Sequence, residues 1–463
     1  MKVIFTIILL LFCITTHGQI RMPEIFSDNC VLQHNSNVKI WGWADKNANV
    51  SVTGSWDNKT VTVSSDSDGK WMAQLTTPDA SDINYTITIN QTDVPNYTIK
   101  DVAIGDVWFC AGQSNMEMPV RGWLPECPID HSESLIAQSG AFSNRIRCAM
   151  VERAESGFPL KESHGRWEKA SPETTPSFSA TAYCFAMFLS SRLGHPVGII
   201  VSAWGGNRIE QWMPQTCNKK YGYKMYVPQN ERKWGTPNLI YNAMVYPLLN
   251  YDCKGFIWFQ GENNIGDSLY AKKQKDLIEA WRTAWGLGPL PFYMVEITPY
   301  NYNANNAADL KACQLKAAME TDNCGLVGTN DLVNGDAIGH NIHGGNKLEI
   351  GYRLANFAKP LYNRDPWGPV FKSMRCEDNK AIISFSHNEC GFIDNPNITG
   401  FEVAGEDLIF HPAIAEVVNG KDVEVSSPKV KKVVAVNYCW GNAKVGNLLN
   451  KFGLPVFAFN AKQ

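Results

Sequence analysis

Between residues 101 and 363 the sequence alternates short apolar runs with longer amphipathic segments, and this alternation constrains the fold more than any other feature. The short runs have the length of buried strands, and the longer segments carry apolar residues at helical spacing. Strands that alternate with helices imply a mostly parallel sheet covered on both faces. The predicted strands are 107–110, 146–151, 197–202, 255–259, 291–297 and 325–329, and the predicted helices are 180–193, 270–285, 310–319 and 347–361.

The regions on either side of this α/β segment are β-rich. Residues 20–100 contain short runs that alternate or are apolar, separated by Asp, Asn and Gly clusters, which favours a small β-sandwich-like domain. The pattern becomes β-like again after Pro366, so residues 364–463 are predicted to be a C-terminal β-rich region. The predicted strands of the two flanks are 38–43, 50–53, 60–63, 70–75 and 85–89, then 381–385, 401–403, 422–425 and 433–438.

The first 19 residues have the pattern of a secretory signal peptide. A single positive charge at Lys2 precedes an apolar run over residues 3–13 and a small, polar exit at residues 14–19. The run is too short to span a bilayer comfortably, and no later run reaches about 18 apolar residues, so no integral membrane segment is expected. The sequence therefore predicts a secreted or periplasmic protein.

Composition narrows the classes of partner. The formal net charge of −3, without a Lys/Arg cluster, gives no electrostatic reason to expect nucleic acid or an anionic membrane. Removing Cys13 with the signal peptide leaves 12 cysteines, an even number that permits disulfides but whose wide spacing predicts no pairing. The chain has no Cys-x-x-Cys pair and no His/Cys spacing of the zinc-site kind, so no structural metal is expected. No protein partner is predicted.

A polar block follows the first predicted strand of the α/β segment. Ala111 and Gly112 suit a tight turn, and Ser114 stands where the strand ends and a helix could begin. Ligands of open α/β sheets collect at this edge. Ser114 could be a nucleophile whose own N–H lines an oxyanion hole, or simply the N-cap of a helix, a position that serine favours.

Two further blocks follow later strands and could supply oxyanion donors. Residues 202–212 contain Gly205 and Gly206, either of which could bring a backbone N–H close to a substrate. In the third block, Gln260 or Asn263 could offer a side-chain N–H. Glu262 in the same block is either an organiser of the loop or a carboxylate that orients the base.

The three blocks together resemble the sialate O-acetylesterase family, a branch of the SGNH (GDSL-like) hydrolases. The resemblance rests on the Gly-Gln-Ser-Asn-Met block at 112–116, the Gly-Gly block at 205–206 and the Trp-x-Gln-Gly-Glu block at 258–262, and it covers nearly the whole mature chain. It implies an SGNH-type (flavodoxin-like) parallel sheet with Ser114 as nucleophile. It also favours Gly206 over Gly205, although Asn207 stands where the family has threonine.

The resemblance extends to a histidine that precedes the last predicted helix. His343 lies in the segment Asn341-Ile-His-Gly-Gly, and a loop histidine of near-neutral pKa suits a general base. His340 is a minor competitor. Relatives carry aspartate where this chain has His340 or Asn341, so the orienting carboxylate stays open. The candidates for that role are Asp331, Asp336 and Glu262, and a Ser–His dyad is the alternative.

The sequence therefore predicts a carbohydrate O-acetylesterase that uses Ser114 and His343 and requires no cofactor. The expected substrate is an O-acetylated sugar or glycan, either acetylated sialic acid, as the resemblance implies, or acetylated xylan or another plant glycan. Trp204, Trp212 and Trp258 could stack on sugar rings or pack in the core. A catalytically impaired glycan-binding protein is the rival reading. A glycosidase is a weaker one, in which pairs among Glu117, Glu210 and Glu262 would supply two carboxylates.

Overall fold

The structure is a computed structural model that describes residues 19–224, 235–303, 306–333, 335 and 338–463. All but the last residue of the predicted signal peptide lies outside the described residues. The described part is a mixed α/β fold with a central sheet and β-rich regions on both sides. None of the helices in these ranges combines the length and the apolarity that crossing a membrane requires.

The N-terminal region consists of strands, as predicted. They are β1 (Val31–Gln33), β2 (Asn37–Trp43), β3 (Asn49–Gly54), β4 (Thr60–Ser64), β5 (Lys70–Thr76), β6 (Ser81–Gln91) and β7 (Val94–Gly112). The β2 and β5 strands form an antiparallel pair, while β3 pairs with β4 and β6. Buried and exposed residues alternate along β3 and β5, which is the pattern of strands with one face on the core.

Strand β7 belongs to both the N-terminal region and the central sheet. Its first part pairs with β6 and with β1, where Gln33 lies opposite Gly105. Its second part pairs in parallel with two strands of the α/β segment, so one 19-residue strand runs through both regions. The predicted domain boundary between residues 100 and 101 falls inside this strand, and it stays a prediction.

The central region alternates strands and helices. The strands after β7 are β8 (Ile146–Met150), β9 (Trp167–Lys169), β10 (Val197–Ala203), β11 (Gly255–Phe259), β12 (Phe292–Val295) and β13 (Cys324–Val327). The helices are α1 (Ser114–Glu117), α2 (Ser132–Gln138), α3 (Ala180–Leu193), α4 (Gln215–Lys220), α5 (Tyr270–Trp285), α6 (Ala307–Met319) and α7 (Lys347–Ala358). The spatial order of the strands is β13-β12-β11-β7-β10-β8-β9. All neighbours in this order pair in parallel except β8 and β9, and the predicted parallel sheet is confirmed in this respect.

Short helical turns connect these elements. A π-helical turn covers Tyr241–Val245, and 3-10 turns cover Glu24–Phe26, Ser139–Phe142, Thr175–Ser177, Ile209–Trp212, Tyr246–Leu248, Glu262–Asn264 and Leu361–Asn363.

The central sheet is buried on both faces. Phe109 of β7 packs in one core with Trp281 of α5, whereas the next residue in the strand direction, Cys110, packs in a second core with Tyr183 of α3 and Leu354 of α7. Because successive side chains of a strand point to opposite faces, this division explains why the run over residues 107–110 is continuously apolar. Helices on both faces leave the strand ends as the places where polar side chains can gather.

The C-terminal region forms two four-stranded antiparallel sheets around a core of its own. Its strands are β14 (Val370–Glu377), β15 (Lys380–Ser386), β16 (Phe401–Ala404), β17 (His411–Pro412), β18 (Ile414–Val418), β19 (Asp422–Ser426), β20 (Ala435–Tyr438) and β21 (Phe459–Lys462). The 12 cysteines from Cys30 to Cys439 are all free thiols, so none of the disulfides that the even count permits is formed among the described residues.

Candidate active site

Ser114 lies where β7 ends, at the carboxyl edge of the central sheet. Gly112 has φ +144°, and a Cβ there would lie 2.2 Å from the carbonyl oxygen of Phe259, so only glycine fits this turn. The N–H of Gln113 donates to the same oxygen over 3.0 Å. Gln113 is the N-cap residue and Ser114 is the first residue of α1, so the alternative that Ser114 is merely the cap is wrong.

The glycine loop after β10 lies against Ser114. A Cβ on Gly205 would lie 3.2 Å from the Cβ of Ser114, so the absence of a side chain leaves the nucleophile accessible from this side. The N–H of Gly205 donates to Glu117 Oε2 over 2.9 Å, and Arg153 donates to the other oxygen of that carboxylate. Gly205 is therefore engaged in holding the loop, which leaves Gly206 as the candidate donor.

Two backbone N–H groups remain available at this turn, one on Ser114 itself and one in the glycine loop that lies against it. Across the residues that the structure describes, neither Ser114 nor Gly206 has a hydrogen-bond acceptor for its N–H. Gly206 adopts φ +74°, a left-handed conformation that glycine accommodates without strain. Unpaired N–H groups at a strand end are what an oxyanion hole requires.

The two candidate oxyanion donors in the block after β11, Gln260 and Asn263, lie in different environments. Gln260 is fully buried, and its amide donates to the Asn207 carbonyl over 3.0 Å and to Asn264 Oδ1 over 2.9 Å. Its oxygen accepts from the Tyr270 hydroxyl. Both amide hydrogens are thus engaged in the framework, which corrects the expectation that Gln260 serves the oxyanion. Asn263 is exposed and donates to the carbonyl of Gly206, so it lies beside the glycine loop and has a second amide hydrogen to offer.

A buried polar cluster joins the nucleophile block to the histidine block, and sequence reasoning missed its centre. Asn115 is fully buried; its amide donates to Glu262 Oε1 over 2.8 Å and to the carbonyl of Ile342 over 3.0 Å. Its oxygen accepts from Lys347 Nζ over 2.6 Å. Asn115, the residue after Ser114, therefore links the nucleophile block to Ile342, the residue before His343. The sequence signal for it was its place in the Gln-Ser-Asn block, but its contacts are not local.

Burial sets the charges of this cluster. Burial raises the pKa of Glu262, which the hydrogen bond from Asn115 and the charge of Lys347 oppose. Burial lowers the pKa of Lys347 to about 7, which the negative charge of Glu262 opposes. Burial in an apolar setting disfavours the charged forms of both Glu262 and Lys347, and the charge of each residue reduces the pKa shift of the other.

His343 is half-buried at the same edge, and its ring packs edge-on against Trp123 at 5.0 Å. Its Nδ1 lies 3.5 Å from the thiol sulfur of Cys127, and its backbone N–H donates to Asn341 Oδ1 over 2.9 Å. The Cys127 thiol donates to the same Asn341 oxygen over 3.6 Å. Burial, reinforced by the nearby charge of Lys347, lowers the pKa of His343 to about 4, so its imidazole is neutral at neutral pH.

The two candidate carboxylates that the structure describes, those of Asp331 and Glu262, form no hydrogen bond with His343. Asp331 forms a two-pronged ion pair with Arg353 at 2.8 and 2.6 Å, which corrects its expected orienting role. Glu262 contacts Asn115 instead, as an organiser of the loop. Asp336 lies outside the described residues. In the part of the chain that the structure describes, the thiol of Cys127 is the side-chain group beside His343 Nδ1.

The other groups suggested by the sequence lie in the framework. Trp212 and Trp258 are fully buried in the core and cannot stack on a sugar, whereas Trp204 is half-buried beside Arg153. Glu210 is buried and paired with Lys273 at 2.7 Å. With Glu262 also buried, the pairs of carboxylates that a glycosidase would need are taken up by internal contacts.

A serine at a strand end, with unpaired N–H groups in its own turn and in the adjacent glycine loop, is an arrangement that suits an ester hydrolase with an α/β fold. The comparisons with known proteins agree. The model of the carbohydrate esterase family of sialic acid-specific acetylesterases matches residues 104–359, more than half of the chain. The chain belongs to this family, and it is a carboxylic ester hydrolase.

Individual relatives match over most of the chain. The human sialate O-acetylesterase is 25% identical over 467 residues, covering 91% of this chain and 87% of the relative. The mouse sialate O-acetylesterase is 26% identical over 436 residues, covering 80% and 79%. The crystal structure of a carbohydrate acetylesterase from Xanthomonas citri is similar with a TM-score of 0.84 and 30% identity, covering 96% of this chain and all of that one.

Proposed function

We propose that this protein removes O-acetyl groups from sugars through an acetyl-enzyme formed on Ser114, with His343 as general base. The observation that carries the proposal is the tether through Asn115, which holds the nucleophile block and the histidine loop together at one sheet edge. Family membership supports the acetyl ester as the scissile bond and an acetylated sugar as its carrier.

The order of the strands supports an SGNH-type fold for the central domain. Numbered along the chain without the added strands β8 and β9, the five strands β7, β10, β11, β12 and β13 lie in the order 2-1-3-4-5. This is the order of a flavodoxin-like sheet, in which ligands bind outside the carboxyl ends of the strands near the first strand. Ser114 follows that first strand.

In the proposed first step, His343 Nε2 takes the proton of the Ser114 hydroxyl as the oxygen attacks the acetyl carbonyl. The N–H groups of Ser114 and Gly206 and the amide of Asn263 stabilise the oxyanion. The sugar oxygen leaves with the proton from His343. Water then attacks the acetyl-enzyme, His343 again takes and returns a proton, and acetate is released.

The contacts of Cys127 support the tautomer that this mechanism needs. When the thiol hydrogen points to Asn341, the sulfur can accept a hydrogen bond from His343 Nδ1–H. The proton is then on Nδ1 and the lone pair on Nε2 is free to act as base. No hydrogen bond joins Ser114 and His343 among the described residues, and in sites without substrate such bonds often form only in the complex.

Acetylated sialic acid is the first candidate substrate, because the human and mouse relatives are named sialate O-acetylesterases. Acetylated xylan or another plant glycan is the alternative within the same chemistry. The apolar run over residues 3–13 supports a further proposal, that the protein is exported.

The test is hydrolysis of p-nitrophenyl acetate by the mature protein and its variants Ser114→Ala and His343→Gln. Exposed residues supply the matched controls Ser191→Ala and His164→Gln. We expect kcat to fall by about 10⁴–10⁶-fold in the first pair, as in other serine hydrolases that lose nucleophile or base. The controls should retain full activity.

Each outcome has a definite meaning. Activity that survives Ser114→Ala would refute the nucleophile assignment. A folded wild-type protein without turnover would favour a glycan-binding protein, a reading consistent with the absence of a carboxylate next to His343 among the described residues. With turnover established, acetate release from acetylated sialic acids and from acetylated xylan identifies the substrate.

A further inference from the structure

Three potential metal ligands from distant parts of the sequence meet at the amino edge of the central sheet, away from Ser114. His34 follows β1, Asp106 lies in the middle of β7, and His195 precedes β10. We propose that His34, Asp106 and His195 form a binding site for a divalent transition-metal ion such as Zn²⁺. The site is separate from the proposed esterase mechanism and does not depend on it.

The distances between the ligand atoms suit a single ion. His34 Nε2 lies 3.1 Å from Asp106 Oδ1, and His195 Nε2 lies 3.5 Å from Asp106 Oδ2. One ligand atom from each residue can be chosen so that all three lie within 4.8 Å of one another. With bonds of about 2.0–2.1 Å, the ligands of a tetrahedral Zn²⁺ are separated by about 3.3 Å, so small side-chain movements would close the site.

The residue types match the chemistry of Zn²⁺. Two imidazole nitrogens and one carboxylate oxygen are ligands that this ion commonly takes, with a water molecule in the fourth position. His195 Nε2 is buried and has no hydrogen-bond partner of good geometry among the described residues. An unsatisfied buried nitrogen is costly unless a ligand or an ion completes it.

The surroundings fix the carboxylate between the two rings. Gln33 Nε2 donates to Asp106 Oδ1 over 3.2 Å, while its own oxygen accepts the N–H of Val107 over 3.0 Å. Burial disfavours the charged form of Asp106, but the contacts with His195, His34 and Gln33 outweigh it and hold the pKa of this carboxyl below its usual range. The group is therefore an anion at neutral pH. Side chains that orient a ligating carboxylate in this way strengthen a metal site.

Metal binding requires Nε2 of each imidazole to be unprotonated, so that its lone pair is free. Asn35 Nδ2 lies 3.3 Å from His34 Nδ1, which fits a metal-free tautomer with the proton on Nε2. When the ion binds at Nε2, the ring must change to the tautomer with its proton on Nδ1, and the exposed side chain of Asn35 must turn away.

The position of the site indicates a structural role. Asp106 and Gly112 are six residues apart on β7, about 20 Å along a strand, so the ion would not reach the nucleophile. It would instead join the end of β1 to β7 and to the start of β10, where Gln33 lies opposite Gly105 and Val197 opposite Asp106. The ion would fasten the N-terminal strands to the central sheet.

The experiment compares metal binding by EDTA-treated wild-type protein with that of His34→Asn, His195→Asn and the double variant. His164→Asn, an exposed histidine elsewhere, is the matched control. Zn²⁺ binding is measured by titration calorimetry, and Co²⁺ is added separately because its absorption spectrum reports the number and kind of ligands. Thermal melting with and without ZnCl₂ gives a second measurement that does not use esterase activity.

We expect one equivalent of Zn²⁺ to bind the wild type and the control and to raise their Tm. The affinity for Zn²⁺ should fall by more than about 100-fold in each histidine variant, since even side chains that only support a ligand change metal affinity by about 10–100-fold. Equal binding by the wild type and the double variant would overturn the proposal and assign the metal to adventitious ligands such as thiols. Absence of binding by the wild type would overturn it too, and the cluster would then be a hydrogen-bonded histidine–carboxylate group only. If the variants melt lower without metal, their Tm response to ZnCl₂ still decides, because a lost site gives no rise.

Discussion

Replacing Lys347 by methionine is expected to move the acid limb of the pH–activity profile to higher pH. His343 must be neutral to accept the proton of Ser114, and two effects favour its neutral form, burial first and the positive charge of Lys347 second. Lys347 has a pKa of about 7 and is therefore charged throughout the range in which His343 titrates. Removing this charge makes protonation of the imidazole easier, so its pKa rises from about 4.

The size of the effect has an upper limit. At pH 5 an imidazole with a pKa of about 4 is about 90% neutral, whereas one with the ordinary value of 6.5 is about 3% neutral. A complete return to the ordinary pKa would thus reduce kcat/KM at pH 5 by about thirtyfold. Burial is the larger cause and persists in the variant, so the loss should be smaller than this limit. At pH 8 the imidazole is neutral in both proteins, and titration should contribute no difference.

The assay is kcat/KM for p-nitrophenyl acetate from pH 4 to pH 8, since this parameter reports the free enzyme. Loss of Lys347 also deprives Asn115 of a hydrogen bond, which the amine can donate in both its charged and its neutral form, so this damage lowers kcat/KM at pH 5 and at pH 8. Lys347→Arg keeps the charge and should keep the wild-type ratio of kcat/KM at pH 5 to that at pH 8. An unchanged ratio in a folded Lys347→Met protein would refute the electrostatic reasoning, and a wild-type acid limb near pH 6.5 would refute the effect of burial.

Three further variants separate framework from catalysis. Asp331→Asn should lower the free energy of unfolding by at most about 3–5 kcal/mol, because the buried Arg353 loses one of its two carboxylate partners and keeps Glu349, while kcat at 25 °C stays unchanged; a fall of about 10⁴-fold in kcat would instead identify Asp331 as the orienting carboxylate. Asn263→Ala should lower kcat by about 10²–10³-fold with little change in Tm, since the side chain is exposed. Gln260→Ala should lower Tm more than kcat, because it leaves buried hydrogen-bond partners unsatisfied. A large fall in kcat with little change in Tm would instead assign Gln260 to the oxyanion site.

Local sequence patterns predicted the elements well where one periodicity dominates. The predicted bounds of α3, α5 and β11 agree with the structure, since each has an unbroken apolar pattern that ends at a turn or a capping glycine, such as Gly194 and Gly286. Agreement was poorer at α6, which begins three residues before the predicted start, at Ala307. Its N-cap is Asn306, a position that the apolar pattern does not mark.

The arrangement of the site could be predicted only in part. Ser114, the glycine loop and His343 could be named as candidates because each belongs to a recognisable block at the end of a strand or the start of a helix, and their catalytic roles stay predictions. The assignments of Gln260 and Asp331 failed because their partners, Asn207 and Arg353, are remote in sequence, and the sequence does not show whether a side chain is already engaged. The same limit hid Asn115, whose role depends on three contacts across more than 140 residues.

Strand β7 makes the N-terminal region inseparable from the hydrolase domain. A chain that began at residue 101 would keep the part of β7 that leads to Ser114, but residues 102–105 of that part would lose their partners in β1 and β6. The cut edge would expose unpaired backbone N–H and C=O groups, which favour aggregation. Recombination in evolution meets the same obstacle, because no junction between the two regions leaves both intact. The esterase domain and its β-rich neighbour are therefore expected to be inherited, and to unfold, as one unit.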